Sequence, residues 1–297
     1  MDYINLYVKF LRRFLKIRRP IKIVFDCSNG ATGNILKELF KGGQKSKVYF
    51  LNERVDGNFS AHGPDPMRKN AAKELEEKVK KQKADIGVIF DVDGDRVFFI
   101  DDRGRLVDQD EIGFILAKFL KSPYVVGVNS GELFRNDKNA IVSRTGHCFY
   151  KKLMREKDIS FGFERSGHYY FKDFFYCDSG IFAALKVINF VSSLDTDFSD
   201  YLDGLPKYFR SGEMNIDLGN LSEEVKKEII LRLEHHYNRE KKEISKIDCL
   251  TMVFNDWRFN VRFSNTENLL RMNIEAGSHK LMKKKSSEVR KFIKSVI

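Results

Sequence analysis

Three carboxylates, Asp91, Asp93 and Asp95, occupy alternate positions in the stretch GVIFDVDGDRVFF, residues 87–99, between two apolar runs. Like charges this close repel, and each makes the next harder to ionise. A positive partner therefore belongs among them. Alternation lets the three side chains turn toward one point, and a set of hard oxygen ligands suits Mg²⁺. Mg²⁺ in turn points to phosphoryl chemistry. Arg96 follows the last aspartate directly.

Other readings of the aspartates differ in what they require. A calcium loop of the EF-hand kind also opens D-x-D-x-D, but it needs glycine sixth and glutamate twelfth. Arg96 and Asp102 stand there, and strand-like runs flank the loop. A haloacid-dehalogenase-type phosphatase ends a strand in a similar D-x-D-G, which would make Asp91 the nucleophile and Asp93 a general acid. Asp95 then falls where that pattern has threonine or valine, and the motif lies well inside the chain. A solvated acidic turn is the purely structural reading.

Two further stretches could recognise a ligand. In FERSGHYYF, residues 163–171, Glu164, Ser166 and His168 alternate. Carboxylates and hydroxyls suit sugar hydroxyls, which both donate and accept. The structural reading is a polar turn in which His168 caps a neighbouring backbone. In VRFSNTENLLRMNIEA, residues 261–276, Arg262, Ser264, Asn265 and Thr266 are followed by Arg271. Arginine binds phosphate bidentately, and a Ser-Asn-Thr turn can converge backbone N–H groups on an anion. A capping turn before ENLLRM is the alternative.

The surrounding pattern supplies elements to hold these residues. IKIVFD, KVYFLN and DIGVIF read as strands, separated by the helices NILKELFKGG and AAKELEEKVKKQKA. This alternation predicts an α/β domain with a largely parallel sheet over 1–107. RVFFIDDRGRLV adds a hairpin. A second α/β segment, 108–206, runs from the helix QDEIGFILAKFL through strand-like YVVGV, the helix CFYKKLMREK and the loop FGFERSGHYYF to the helix GIFAALKVINFVSSL. From 207 to 297 the strands GEMNIDL, CLTMVF, WRFNVRF and LLRMNIEA, with a helix near 222–242 and another at the end, predict a smaller α+β domain with an antiparallel sheet.

Composition limits the class. A chain of 297 residues favours two or three domains. Hydrophobic content of 42% with 32% charged residues indicates a soluble globular protein, and no apolar run approaches the roughly 20 residues of a membrane span. MDYINLYVKFLRRFLKIRR lacks the apolar core and cleavage site of a signal peptide and reads as an amphipathic surface helix. Cys27, Cys148, Cys177 and Cys249 form no C-x-x-C pair, which suits reduced thiols in the cytoplasm. A net charge of +11 suits an anionic partner. The tight basic clusters, LRRFLKIRR and Lys283–Lys285, lie near the ends, and no nucleic-acid motif accompanies them. Neither nucleic acid nor membrane is expected as a partner.

In combination the three loops are more specific than each alone. FDVDGDR, FERSGH and RFSNTENLLR, in that order, resemble the metal, sugar and phosphate loops of the α-D-phosphohexomutase superfamily, in its phosphomannomutase/phosphoglucomutase branch. VFDCSNGATG, VDGNFSAHGPDP, RTGHCFYKKLM and FFYCDSGIFAAL also match. The resemblance implies two phosphohexomutase-type α/β domains with mixed sheets, then the α+β phosphate-binding domain. It implies conversion of hexose 1-phosphate to hexose 6-phosphate through a bisphosphate, with Mg²⁺ on Asp91, Asp93 and Asp95 and on a phosphoserine. Arg96 would lie near the transferring group, and His147 would be a proton-transfer residue near the sugar. Arg144, Glu164, Ser166 and His168 would bind the sugar phosphate. Arg262, Ser264, Asn265, Thr266 and Arg271 would clamp the non-reacting phosphate. Mannose and glucose 1- or 6-phosphates are the implied substrates.

There are departures. The family has four domains, and this chain begins where the second begins. The missing domain carries the serine in a T-[AG]-S-H-N-P-type loop that the 297 residues do not contain. Ser60, in FSAHGPDP, falls on a position where the family reads proline. Val92, Phe163 and Arg165 replace glycine, glycine and methionine, and Arg144 stands where lysine is common. The expectation is a phosphohexomutase-like chain, inactive alone and complemented in trans by a serine-domain polypeptide. The alternatives are a non-catalytic sugar-phosphate-binding remnant and a phosphatase using Asp91.

Overall fold

In the computed structural model, which describes residues 2–42, 45–121, 123–135, 137–264 and 267–297, IKIVFD is a strand buried everywhere but Lys22. It lies in the middle of a four-stranded sheet. The elements here are α1 (Tyr3–Arg12), β1 (Ile21–Asp26), α2 (Thr32–Phe40), β2 (Ser46–Leu51), α3 (Lys73–Gln82), β3 (Ile86–Phe90) and β4 (Val97–Asp101). The order is β2-β1-β3-β4, with β1 parallel to β2 and β3, and β4 antiparallel to β3. The strands β3 and β4 are buried at every position, as continuous apolar runs covered on both faces must be. The aspartate stretch is the short connection between them.

Next come α4 (Gln109–Leu120), β5 (Tyr124–Gly127), β6 (Ala140–Ser143), α5 (His147–Glu156), β7 (Phe161–Phe163), β8 (Tyr169–Phe171), β9 (Cys177–Asp178), α6 (Gly180–Val191) and α7 (Phe198–Asp203). Their sheet has the order β6-β5-β7-β8-β9. FGFERSGHYYF is not a loop throughout. Phe161 pairs with Phe171 and Phe163 with Tyr169, so the stretch is a hairpin whose turn is 164–168. Phe161, Phe163, Tyr169 and Phe171 are all buried, and burying four rings outweighs the ordering cost of such short strands.

The remaining elements are β10 (Phe209–Arg210), β11 (Met214–Asp217), α8 (Glu223–Tyr237), β12 (Glu243–Ser245), β13 (Leu250–Val253), β14 (Trp257–Phe263), β15 (Leu269–Ala276) and α9 (His279–Val296). The strands form an antiparallel sheet of order β10-β15-β14-β13-β12, and β11 also pairs with β15. Helix α8 packs against β13, and α9 against β15. Leu233, Met252, Phe259, Leu270 and Ile293 are buried in the core between helices and sheet.

The chain divides into two compact units. One comprises Met1–Val125, Lys138–Ile141 and Tyr150–Leu205, the other Val126–Asp137, Val142–Phe149 and Pro206–Ile297. The segments 1–107 and 108–206 thus share the first unit for most of their length. The link is α6, apolar almost all round, which packs on β3, β4 and α4. The N-terminal helix is docked in the same unit. Val8 and Leu11 are buried, α1 packs on α2, and Phe10 and Phe14 meet Phe182. Among the described residues no helix is long and apolar enough to cross a membrane.

The core of the second unit supplies a test. Leu233 is fully buried. Leu233→Ala should cost about 2–5 kcal/mol, read as a lower urea midpoint with an unchanged slope.

Candidate functional site

Asp91 directly follows β3 and is almost fully buried. Its Oδ1 accepts the backbone N–H groups of Gly94 and Arg96, both at 3.1 Å, and its Oδ2 accepts Arg96 Nε at 2.6 Å. An aspartate gripping the backbone that follows it is a turn-former. Gly94 takes the left-handed φ of 79° that the turn needs. The turn gathers the carboxylates, so that one oxygen each from Asp91, Asp93 and Asp95 lies within 4.8 Å of the others. Burial pushes the Asp91 carboxyl up to about 6, against the hydrogen bonds from Arg96. Asp95 is held below its ordinary value, first by its hydrogen bond with His168. One buried, one exposed and one partly buried carboxylate at such spacing fit a hard divalent cation.

A second turn, SNGAT at 28–32, supports the aspartates from beneath. Ser28 Oγ donates to Phe90 O at 2.5 Å, and Ala31 N to Val92 O at 2.8 Å. Gly30 lies so close that a Cβ there would collide with the Val92 carbonyl. Ser28 and Asn29 both adopt positive φ. Asp26, fully buried, accepts Ser28 N–H and the Asn52 amide, and its Oδ2 pairs with His62 Nε2 at 3.3 Å. His62 anchors the 56–66 loop, which delivers Asp65 to Arg96 Nη1 at 3.3 Å. Arg96 is thereby clamped between Asp91 and Asp65.

The sugar-loop candidates fall on the turn between β7 and β8, beside the aspartates. Val97 N donates to Gly167 O at 3.1 Å, and Gly180 N, opening α6, to Gly94 O at 2.9 Å. Glu164 is buried, and its Oε2 accepts the Ser166 and Tyr170 hydroxyls, each at 3.3 Å. Ser166 Oγ is 2.9 Å from His168 Nδ1, and His168 Nε2 is 3.4 Å from Asp95 Oδ1. His168 is raised overall: burial, the largest single effect, disfavours its charge, and the Asp95 hydrogen bond together with the fields of Asp95, Glu164 and Asp178 outweighs it. Arg165 turns to Asp108 and Asp110 at 3.4 and 3.6 Å.

The phosphate-loop candidates lie in the second unit. Arg262 on β14 stands directly opposite Arg271 on β15. Like charges opposed across a ladder are destabilising. Glu213 is inserted between them, 3.1 Å from Arg262 Nη2 and 3.4 Å from Arg271 Nη1, and Glu267 takes Arg271 Nη2 at 3.0 Å. Both Nε–H groups are buried and meet no acceptor among the described residues. Orphaned charged donors of this kind are costly and fit an anion. Ser264 follows β14, while Asn265 and Thr266 lie outside the described residues.

Arg144 and His147 also belong to the second unit. Arg144 lies 5.1 Å over the Phe149 ring, and His147 opens α5. Ser60 is exposed and donates its hydroxyl to Asp56 at 2.6 Å. The structure adds Asp65, Ser28, His62, Tyr170 and Glu213, none marked by motif spacing as a partner of these loops. GATG and HGPDP were the nearest signals.

Family models cover most of the chain. Phosphoglucomutase/phosphomannomutase, alpha/beta/alpha domain II, matches residues 2–104, and domain III of the same family matches 108–209. A phosphomannomutase of Escherichia coli K12 is 34% identical over 287 residues, covering 91% of this chain and 62% of that protein. A phosphoglucomutase/phosphomannomutase family protein from Burkholderia thailandensis superposes with a TM-score of 0.85 at 25% identity, covering 99% of this chain and 65% of that one. An Aspergillus fumigatus N-acetylphosphoglucosamine mutase, solved with GlcNAc-6P and magnesium, shares the fold at a TM-score of 0.68 and 16% identity, covering 99% of this chain and 65% of that one. The chain thus spans less than two thirds of the length of these relatives.

His62 gives the site a pH signature. Its hydrogen bond to Asp26 raises it above 6.5, outweighing burial, and Glu74 adds to the field. A group raised in the folded state stabilises fully below its unfolded value and loses that contribution as pH climbs through the folded one. The melting-temperature advantage of the native chain over His62→Gln should therefore shrink as pH rises from about 6.5 into the alkaline range. Differential scanning calorimetry across that range checks it, and a constant gap would show that His62 carries no charge-linked role.

Proposed function

The chain belongs to the phosphoglucomutase/phosphomannomutase family of α-D-phosphohexomutases, and from that premise we propose that it is the metal-, sugar- and phosphate-binding part of an enzyme interconverting hexose 1-phosphates and hexose 6-phosphates. One observation carries the reading. The side chains of Tyr170, Glu164, Ser166, His168 and Asp95 form a continuous contact chain, joining the sugar loop to the aspartate loop. A binder of sugar hydroxyls tied directly to a cation site is what phosphoryl transfer to a sugar requires.

The roles follow from the chemistry of each group. Asp91, Asp93 and Asp95 would hold Mg²⁺, as the magnesium in the Aspergillus relative supports. When bound, the ion would neutralise charge on the transferring phosphoryl group. Arg96 keeps Nη2 outside its hydrogen bonds to Asp91 and Asp65, leaving a positioned donor for a phosphoryl oxygen. Glu164 and Ser166 take sugar hydroxyls, with His168 and Tyr170 fixing their orientation. Arg262 and Arg271 clamp the non-reacting phosphate through Nε–H groups that meet no acceptor among the described residues, with Glu213 yielding its place. Binding energy there is spent on orienting the reacting end. Arg144, with Ser264, Asn265 and Thr266, assists binding, and His147 moves a proton at the sugar. Mannose and glucose phosphates are the substrates.

No T-[AG]-S-H-N-P loop occurs in the 297 residues, so the phosphoserine comes from outside them and this sequence alone does not turn over. Both Asp91 oxygens are engaged by Gly94 and Arg96, which favours a ligand and anchor over an attacking nucleophile.

Two measurements test this. Mn²⁺, followed by electron paramagnetic resonance, should bind the chain and lose at least about tenfold in affinity in Asp95→Asn. In the second, a phosphorylated serine-loop domain from a phosphomannomutase relative is added with Mg²⁺ and glucose 1-phosphate. Glucose 6-phosphate should form only when both polypeptides are present, and Arg262→Ala should lower kcat/KM at least about tenfold. Binding of glucose 6-phosphate without turnover in the mixture would favour the non-catalytic reading. Phosphatase activity with a trapped aspartyl phosphate, lost in Asp91→Asn, would favour the aspartate nucleophile.

A further inference from the structure

The basic run that follows α1 is absorbed by none of these roles. It lines a cavity of about 510 Å³ in the first unit, together with Lys186 and Asn189 of α6, Phe119 of α4 and Asp173. Arg13, Lys16, Arg18 and Lys186 contribute four cations against the single carboxylate of Asp173.

The backbone that carries two of these cations, Lys16 and Arg18, is held in place. Asn189, itself buried, accepts Lys16 N–H at 2.6 Å through Oδ1 and donates through Nδ2 to Phe14 O at 2.7 Å. Ser192 Oγ, also buried, accepts Arg18 N–H at 3.1 Å. The backbone between them is thus fixed to α6 at both ends. Lys186 is 12% exposed, and its ammonium lies 5.0 Å from the Phe14 ring centre and 4.9 Å from that of Phe182. Its anionic partner, Asp173, is 3.5 Å away and largely solvated. Burial depresses the Lys186 ammonium below its ordinary value, and Lys16 presses on it further. A half-buried cation with one weak partner and a second cation beside it is a poor arrangement for stability alone. It is a good one for receiving an anion. Phe14, Ile17 and Phe119 add an apolar wall.

We propose that this cavity is a binding site for a small ligand carrying a phosphate or diphosphate group, and it shares no residue with the aspartate, sugar or phosphate loops. Arg18 and Lys16 reach its oxygens from the rim and Lys186 from the floor.

Inorganic pyrophosphate is the probe. It is titrated calorimetrically, without divalent ions, into the full chain carrying Arg262→Ala and Arg271→Ala, which silences the opposed arginines. Binding is expected, weaker as salt rises, and reduced at least about tenfold by Arg18→Glu or Lys16→Glu. Both residues are exposed, so the variants should melt with the parent. Vesicles of phosphatidylcholine with phosphatidic acid distinguish the source of the phosphate. Vesicles that bind, compete with pyrophosphate and are released by Arg18→Glu indicate a lipid headgroup, whereas pyrophosphate binding without vesicle binding indicates a soluble ligand. Absence of pyrophosphate binding, or binding unchanged by both charge reversals, overturns the proposal.

Discussion

The grip of Asp91 on the backbone of its own turn is the interaction on which the first unit depends. One carboxylate accepts two backbone N–H groups and a guanidinium, and burial makes each bond strong because no water competes. The turn could not keep three carboxylates facing one another without it. Everything nearby is arranged to hold that turn from outside. The SNGAT turn takes Phe90 O and Val92 O, the N-terminus of α6 takes Gly94 O, and the sugar hairpin takes Val97 N. These supports come from distant parts of the chain, and so the first two sequence segments fold as one unit.

The second unit repeats the logic with the sign reversed. Two guanidiniums opposed on adjacent strands would push that end of the ladder apart, and Glu213 sits between them as a carboxylate that a phosphate could replace. Both units thus keep like charges together at a cost, and stability alone would select neutral residues at such positions. The proposed function accounts for that cost by a cation in the first unit and an anion in the second.

The fold class was legible in the sequence, and the candidate site residues stood out there as local patterns. Alternate aspartates, Glu164-x-Ser166-x-His168 and Arg262 with Arg271 are local patterns, and the structure places the first two sets side by side within one unit. Long strands and helices such as IKIVFD and GIFAALKVINFV announced themselves by runs of apolar residues. The hairpin around FERSGH did not, because each of its strands is only three residues long and periodicity needs more. The docking of the N-terminal segment depends on Asn189, 173 positions away from Lys16, and no local signal reports such a pairing. Asp65, Tyr170 and Glu213 were missed for the same reason: their partners are brought together by the fold.

The central claim is that the opposed arginines are a phosphate clamp completing the work of the aspartate and sugar loops. Crystals of the chain soaked with glucose 6-phosphate test it most directly. The account predicts phosphate density within hydrogen-bonding reach of Arg262 Nε and Arg271 Nε, with Glu213 displaced. Glu213 still seated between the two arginines, with the sugar phosphate ordered elsewhere, would contradict it.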